Sequence, residues 1–86
     1  MRHSFTVSLT DEITSVLGRV QSEITGNGGR FEGNTEYGSF DGRSVLGPIR
    51  GEYRSVAGGG IEITITHKPF LIPFSRIESE IRRYFA

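Results

Sequence analysis

The chain's only imidazoles, His3 and His67, are the first place to look for chemistry. Each stands at the end of an alternating apolar strand face, which would put both near one rim of a sheet. In a functional role they would form a proton-transfer or ligand-binding pair. Two histidines with no acidic residue at ligand spacing, in a chain without cysteine, make a poor metal site. The simpler expectation is partly buried strand-end histidines without a chemical role. The glycine clusters do not read as phosphate loops. Gly26-Asn27-Gly28-Gly29 follows a predicted helix where a phosphate loop precedes one, and Gly58-Gly59-Gly60 joins two predicted strands without a Lys-Ser/Thr. No serine sits in a nucleophile elbow, since Gly18 and Gly38 lack the required flanks. The acidic pairs Asp11/Glu12 and Glu78/Glu80 suit helix ends and solvated faces. No nucleophile, base and orienting group share a pattern, so the expectation is a non-enzymatic protein with no catalytic residue, metal or cofactor.

The stretch that calls for another explanation is Lys68-Pro69-Phe70-Leu71-Ile72-Pro73-Phe74. Two prolines restrict its backbone and remove two ladder donors, yet four large apolar side chains need a place. One outcome tucks them under a sheet as the crossover into a helix. The other leaves two or three exposed as a rigid apolar lip for a partner, a lipid or a polymer surface. Phe70, Leu71, Ile72 and Phe74 are therefore the candidate binding residues, and Tyr37, Phe40 and Tyr53 would either widen the patch or fill a sheet core.

The elements that must position these residues are legible from periodicity. Residues 3–9 alternate as a strand, with His3, Phe5, Val7 and Leu9 on one face. Thr10 is the expected N-cap of a helix with Asp11 and Glu12 in its first turn. Its apolar stripe is Ile13, Val16, Leu17, Val20 and Ile24, and the 26–29 cluster stops it. From Arg30 to His67 the pattern predicts antiparallel sheet, with a hairpin turn at Asp41-Gly42 and a looser one at 57–60. Pro48 should sit at an edge or bulge. Ile61, Ile63 and Ile65 alternate with Glu62, Thr64 and Thr66, so one face is dry and the other wet. Ser75-Arg76-Ile77-Glu78 reads as a capping box opening a second helix, which carries Phe74, Ile77, Ile81 and Phe85 on one face and the pairs Arg76–Glu80 and Glu78–Arg82 on the other. The predicted fold is α+β: an antiparallel sheet of four to five strands, order β-α-β-β-β(-β)-α, with two helices packed on one face.

Eighty-six residues without cysteine predict one small globular domain over 1–86 with no covalent staple. Met1 to Leu9 alternates instead of running apolar, and no apolar run approaches bilayer length, so the expectation is a soluble cytoplasmic protein without a membrane span. Net charge is zero, although residues 1–42 hold three basic and six acidic side chains and residues 43–86 hold seven and four. That balance ranks nucleic-acid binding last among the function classes, even with Arg43, Arg50, Arg54, Arg76, Arg82 and Arg83 in the second half.

Three groups of residues carry a family resemblance. They are Phe31-Glu32-Gly33-Asn34, then Gly47 and Gly51 ahead of a strand, then Ile61-Glu62-Ile63-Thr64-Ile65 through Pro69, Leu71, Pro73-Phe74, Ile77-Glu78 and Ile81-Arg82. Over residues 31–83 the chain resembles the bacterial polyhydroxyalkanoic acid system proteins, with Phe31 where that family tends to have Trp. The resemblance implies a cytoplasmic bacterial protein, related to storage granules, and supplies no catalytic residues. The sequence thus leads to a binding module for a hydrophobic ligand, polymer surface or protein partner, with a homodimeric assembly protein as the alternative.

Overall fold

Alternation and turn chemistry build a meander that the first strand closes. The computed structural model describes residues 2–85. Its elements are β1 (His3–Ser8), α1 (Ile13–Gly26), β2 (Arg30–Gly33), β3 (Tyr37–Ser44), β4 (Gly47–Val56), β5 (Gly60–His67) and α2 (Phe74–Phe85). The five strands form one antiparallel sheet in the order β1-β5-β4-β3-β2. Strands β2 to β5 follow one another as hairpins, while α1 carries the chain from the β1 edge across to the β2 edge. The fold is α+β, as periodicity predicts.

Both helices cover the same face. Ile61, Ile63 and Ile65 of β5, an interior strand, are fully buried, flanked by Phe5 and Val7 of β1 and by Tyr53 and Phe40 of β4 and β3. Val16, Leu17 and Val20 of α1 and Ile77, Ile81 and Phe85 of α2 close this single core cluster, with Ile13, Ile24 and Phe74 at its margin. Burying a side chain of this kind contributes about 1.5–3 kcal/mol. The opposite face is polar, with Arg50, Glu52 and Arg54 beside Glu62, Thr64 and Thr66. The sheet is dry on one side only.

Two glycine sites let large rings lie on the strands. A Cβ on Gly33 or Gly38 would stand 2.4–2.6 Å from Tyr53 and neighbouring backbone, so that cross-strand pair forms the slot for the tyrosine. Tyr53 Oη reaches across it to donate to the Asn34 carbonyl at 2.7 Å, and burial pushes the phenol's pKa up. A Cβ on Gly51 would stand 2.5 Å from Phe40 Cζ, which is how that ring lies flat over β4.

Local chemistry departs from prediction at three places. Asp41-Gly42 is not a turn: both residues lie inside β3, paired with Arg50 and Ile49, and the reversal falls at Val45-Leu46. Ser44 decides this, its Oγ donating to the Gly47 carbonyl at 2.6 Å and accepting from the Leu46 N–H at 3.3 Å, while Gly47 supplies a φ of 136°. Thr10 is not the N-cap of α1. The Leu9 N–H bonds the Gly59 carbonyl at 3.1 Å, the chain bends at Thr10 and Asp11, and Glu12 takes the N-cap position without a side-chain bond. At α2 the capping box does not form. The Pro73 carbonyl already accepts from Arg76 and Ile77, so the helix opens ahead of Ser75 and the Glu78 carboxylate is engaged elsewhere.

Other expectations hold. The 26–29 cluster ends α1 with Gly29 N–H to Ile24 O and Gly28 N–H to Thr25 O, Gly28 standing at φ 85°. The 57–59 turn joins β4 to β5. Pro48 lies where β4 has extended past the end of β5 and is paired on one side only, by Arg43.

Candidate functional site

The described histidines are not brought together around a carboxylate. His3 Nε2 hydrogen-bonds Glu78 Oε1 at 2.8 Å, and its ring stacks on Phe74 with centroids 4.9 Å apart. Arg82 holds the other Glu78 oxygen at 3.0 Å. The hydrogen bond from His3, then that from Arg82, draws the Glu78 carboxyl below the usual carboxylate range. Arg82 also donates to the Thr6 carbonyl at 3.1 Å, so this corner ties α2 to the edge strand β1. His67 is exposed at the end of β5. Among the described residues no group of three or more His, Cys, Asp or Glu is placed to hold a metal ion.

The concave feature is a groove of about 780 Å³ between α2, the C-terminal half of α1 and the β3–β4 hairpin. Topology explains it. Helix α1 lies over β2 and β3, α2 packs towards β1, and no element among the described residues covers the interval above the hairpin. Phe40, Gly42 and Ile49 form its floor, Val20 and Ile24 one wall, Ile77 and Ile81 the other. Gly42 matters because a Cβ there would meet nothing nearer than the Ile49 carbonyl at 3.8 Å; that stretch of floor is open space. Leu46, Leu71 and Tyr84 stand at the mouth, with Arg43, Arg76, Glu23 and Glu80 around it. Such a lining can bury an apolar chain or ring and offers charged groups only at the entrance.

The proline-framed run divides between surface and core. Phe70 and Leu71 are 92% and 73% exposed, whereas Ile72 and Phe74 pack against the core. Leu71 and Ile72 line the groove, Phe70 stands just outside it, and Phe74 faces His3 instead. Tyr37 lies exposed on the polar face, while Phe40 and Tyr53 are core residues. The predicted pair Glu78–Arg82 is present, but Glu80 pairs with Arg83 at 3.3 Å instead of Arg76.

Periodicity did not reveal the hairpin tip, Val45-Leu46, or the glycine in the floor. Val45 is fully exposed and Leu46 half exposed, and both line the groove. Their signal was present as an apolar pair between Ser44 and Gly47, masked by the stronger turn signature at Asp41-Gly42.

The polar sheet face carries a shallower depression of about 310 Å³ around Arg30, Glu32, Ser39, Asp41, Arg50 and Glu52. Its charges largely offset one another, Arg50 lying 3.4 Å from Asp41, and Arg54 beside it is bonded to Glu62 at 2.6 Å. No helix among the described residues is long and apolar enough to cross a membrane. Compared with family models, curated proteins and solved structures, the chain matches none.

Proposed function

We propose that this protein is a non-catalytic binding module that holds an apolar ligand in the groove between α2 and the β3–β4 hairpin. The observation that carries this is the unfilled floor at Gly42 beneath apolar walls, beside a core whose helix and sheet faces are otherwise packed on one another. A core this small gains from every buried methylene, and an uncovered groove over its own sheet forgoes that gain. The His3–Glu78 contact is an anchor in this account: the ring is stacked on Phe74 and its nitrogen bonded to the helix it secures. The resemblance of residues 31–83 to polyhydroxyalkanoic acid system proteins leans the same way, towards a cytoplasmic protein that handles a water-insoluble polymer or its surface.

Titration with an anilinonaphthalene sulfonate dye, whose fluorescence rises in apolar sites, tests this. Wild type should bind saturably, and Leu71→Asp should bind more weakly while unfolding at the same temperature, because Leu71 is at the mouth and mostly exposed. Equal, low binding by both folded proteins would remove the proposal.

A further inference from the structure

The exposed large apolar side chains are not scattered. Val45, Leu46, Phe70, Leu71 and Tyr84 belong to the groove mouth or its immediate neighbour, and Tyr37 alone lies on the other face. Four of them form two tips, Val45-Leu46 on the β3–β4 hairpin and Phe70-Leu71 on the crossover into α2. The tips lie side by side: a Cβ on Gly47 would stand 3.4 Å from the Pro69 ring, and Val45, Leu46 and Leu71 line one groove.

Charge is sorted along the chain at the same two segments. Between Asp41 and Glu52 the ionisable side chains are Arg43 and Arg50, and between Glu62 and Glu78 they are His67, Lys68 and Arg76. Both tips are therefore free of acid along the chain. Arg50 is engaged by Asp41, whereas Arg43, Lys68 and Arg76 have no carboxylate partner among the described residues. Lys68 lies with its ammonium 5.0 Å from the centre of the Phe74 ring and donates to the Pro69 carbonyl at 3.4 Å. Glu23 and Glu80 stand on the helices around the groove, away from both tips along the chain.

We infer that the two tips dock this protein on an anionic lipid surface, with Val45, Leu46, Phe70 and Leu71 entering the acyl boundary and Arg43, Lys68 and Arg76 meeting the head groups. Apolar tips flanked along the chain by three cations that no carboxylate engages, while Glu80 of the groove rim is tied to Arg83, match an interface that is apolar below and negative above. The groove mouth would then face the lipid, so an apolar ligand would enter without crossing water. In that clause the inference rests on the proposed groove; docking itself does not require it.

The test is sedimentation with vesicles of phosphatidylcholine, with and without phosphatidylglycerol. Three cations near such a surface should favour the mixed vesicles by on the order of a hundredfold, at about fivefold each. Raised salt should erase most of that preference. Phe70→Glu should weaken vesicle binding at least roughly tenfold and leave dye uptake in free solution unchanged, since Phe70 is exposed and outside the groove lining. R43Q/R76Q should cut the phosphatidylglycerol preference to roughly the fivefold that Lys68 alone supplies. Equal binding to both vesicle types, or undiminished binding by Phe70→Glu, overturns docking. So does a dimer that Phe70→Glu dissociates in a protein that ignores vesicles, which would make the tips a contact between copies. Vesicle binding without dye uptake would uphold docking and defeat the groove; dye uptake without vesicle binding would do the reverse.

Discussion

Gly42→Leu should weaken ligand binding about a hundredfold and stabilise the fold at once. The position lies in β3 with a backbone that any residue adopts, and a Cβ there has only the Ile49 carbonyl within reach, at 3.8 Å. A leucine side chain would extend over the groove floor between Phe40 and Ile49. It adds four carbons, and at about 0.8 kcal/mol per buried methylene a ligand displaced from that space loses about 3 kcal/mol. That is roughly a hundredfold in affinity. The same carbons leave water on folding, and a glycine inside a strand costs about 0.5–1 kcal/mol relative to alanine. In an open groove the leucine stays partly wet and loses rotamer freedom, which offsets most of the transfer gain, so the variant should gain about 1 kcal/mol, raising Tm by about 4–8 °C for a domain of this size. The assay is dye titration beside thermal unfolding followed by circular dichroism. The opposite signs are the diagnostic, because general damage to the fold lowers both. Wild-type affinity in Gly42→Leu would refute the groove as the binding site. A fall in Tm would show that the floor is already filled in solution.

Two further substitutions probe the scaffold. Gly51→Ala puts a carbon 2.5 Å from Phe40 Cζ and 2.7 Å from the Thr64 carbonyl, and Phe40 is buried. It should cost about 1–3 kcal/mol, seen as a lower Tm; an unchanged Tm would mean that Phe40 does not lie against β4. Glu78 has a folded pKa below its ordinary value of 4.5 because His3 and Arg82 bond the carboxylate. A depressed carboxyl contributes stability above its unfolded pKa and loses it as pH falls through the lower folded value. Tm of the wild type should therefore drop below about pH 4.5 more steeply than that of Glu78→Gln. Parallel curves would sever the His3–Glu78–Arg82 corner from stability.

Much of the fold was open to inspection in one dimension. Strict alternation at Ile61, Ile63 and Ile65 names both faces of β5, because successive side chains in a strand point to opposite sides. The stripe from Ile13 to Ile24 and that from Phe74 to Phe85 name the buried helix faces for the equivalent reason at period 3.6. The lack of any reactive triad pattern, and the odd character of the 69–74 run, also needed nothing beyond residue order.

Other features depended on which distant groups meet. Ser44 and Gly47 override the Asp41-Gly42 turn because their bonds close a hairpin four residues later, carrying Val45 and Leu46 to the tip. Glu78 bonds His3, 75 residues away, in preference to its own helix end. The division of the proline-framed run, with Phe70 and Leu71 outside and Ile72 and Phe74 inside, follows from where α2 lands relative to β1 and the hairpin. The groove arises in the same way, as the interval that two helices of fixed length leave over a five-stranded sheet. Spacing along a chain specifies which side of an element is apolar; only the assembled layers determine whether another element arrives to cover it.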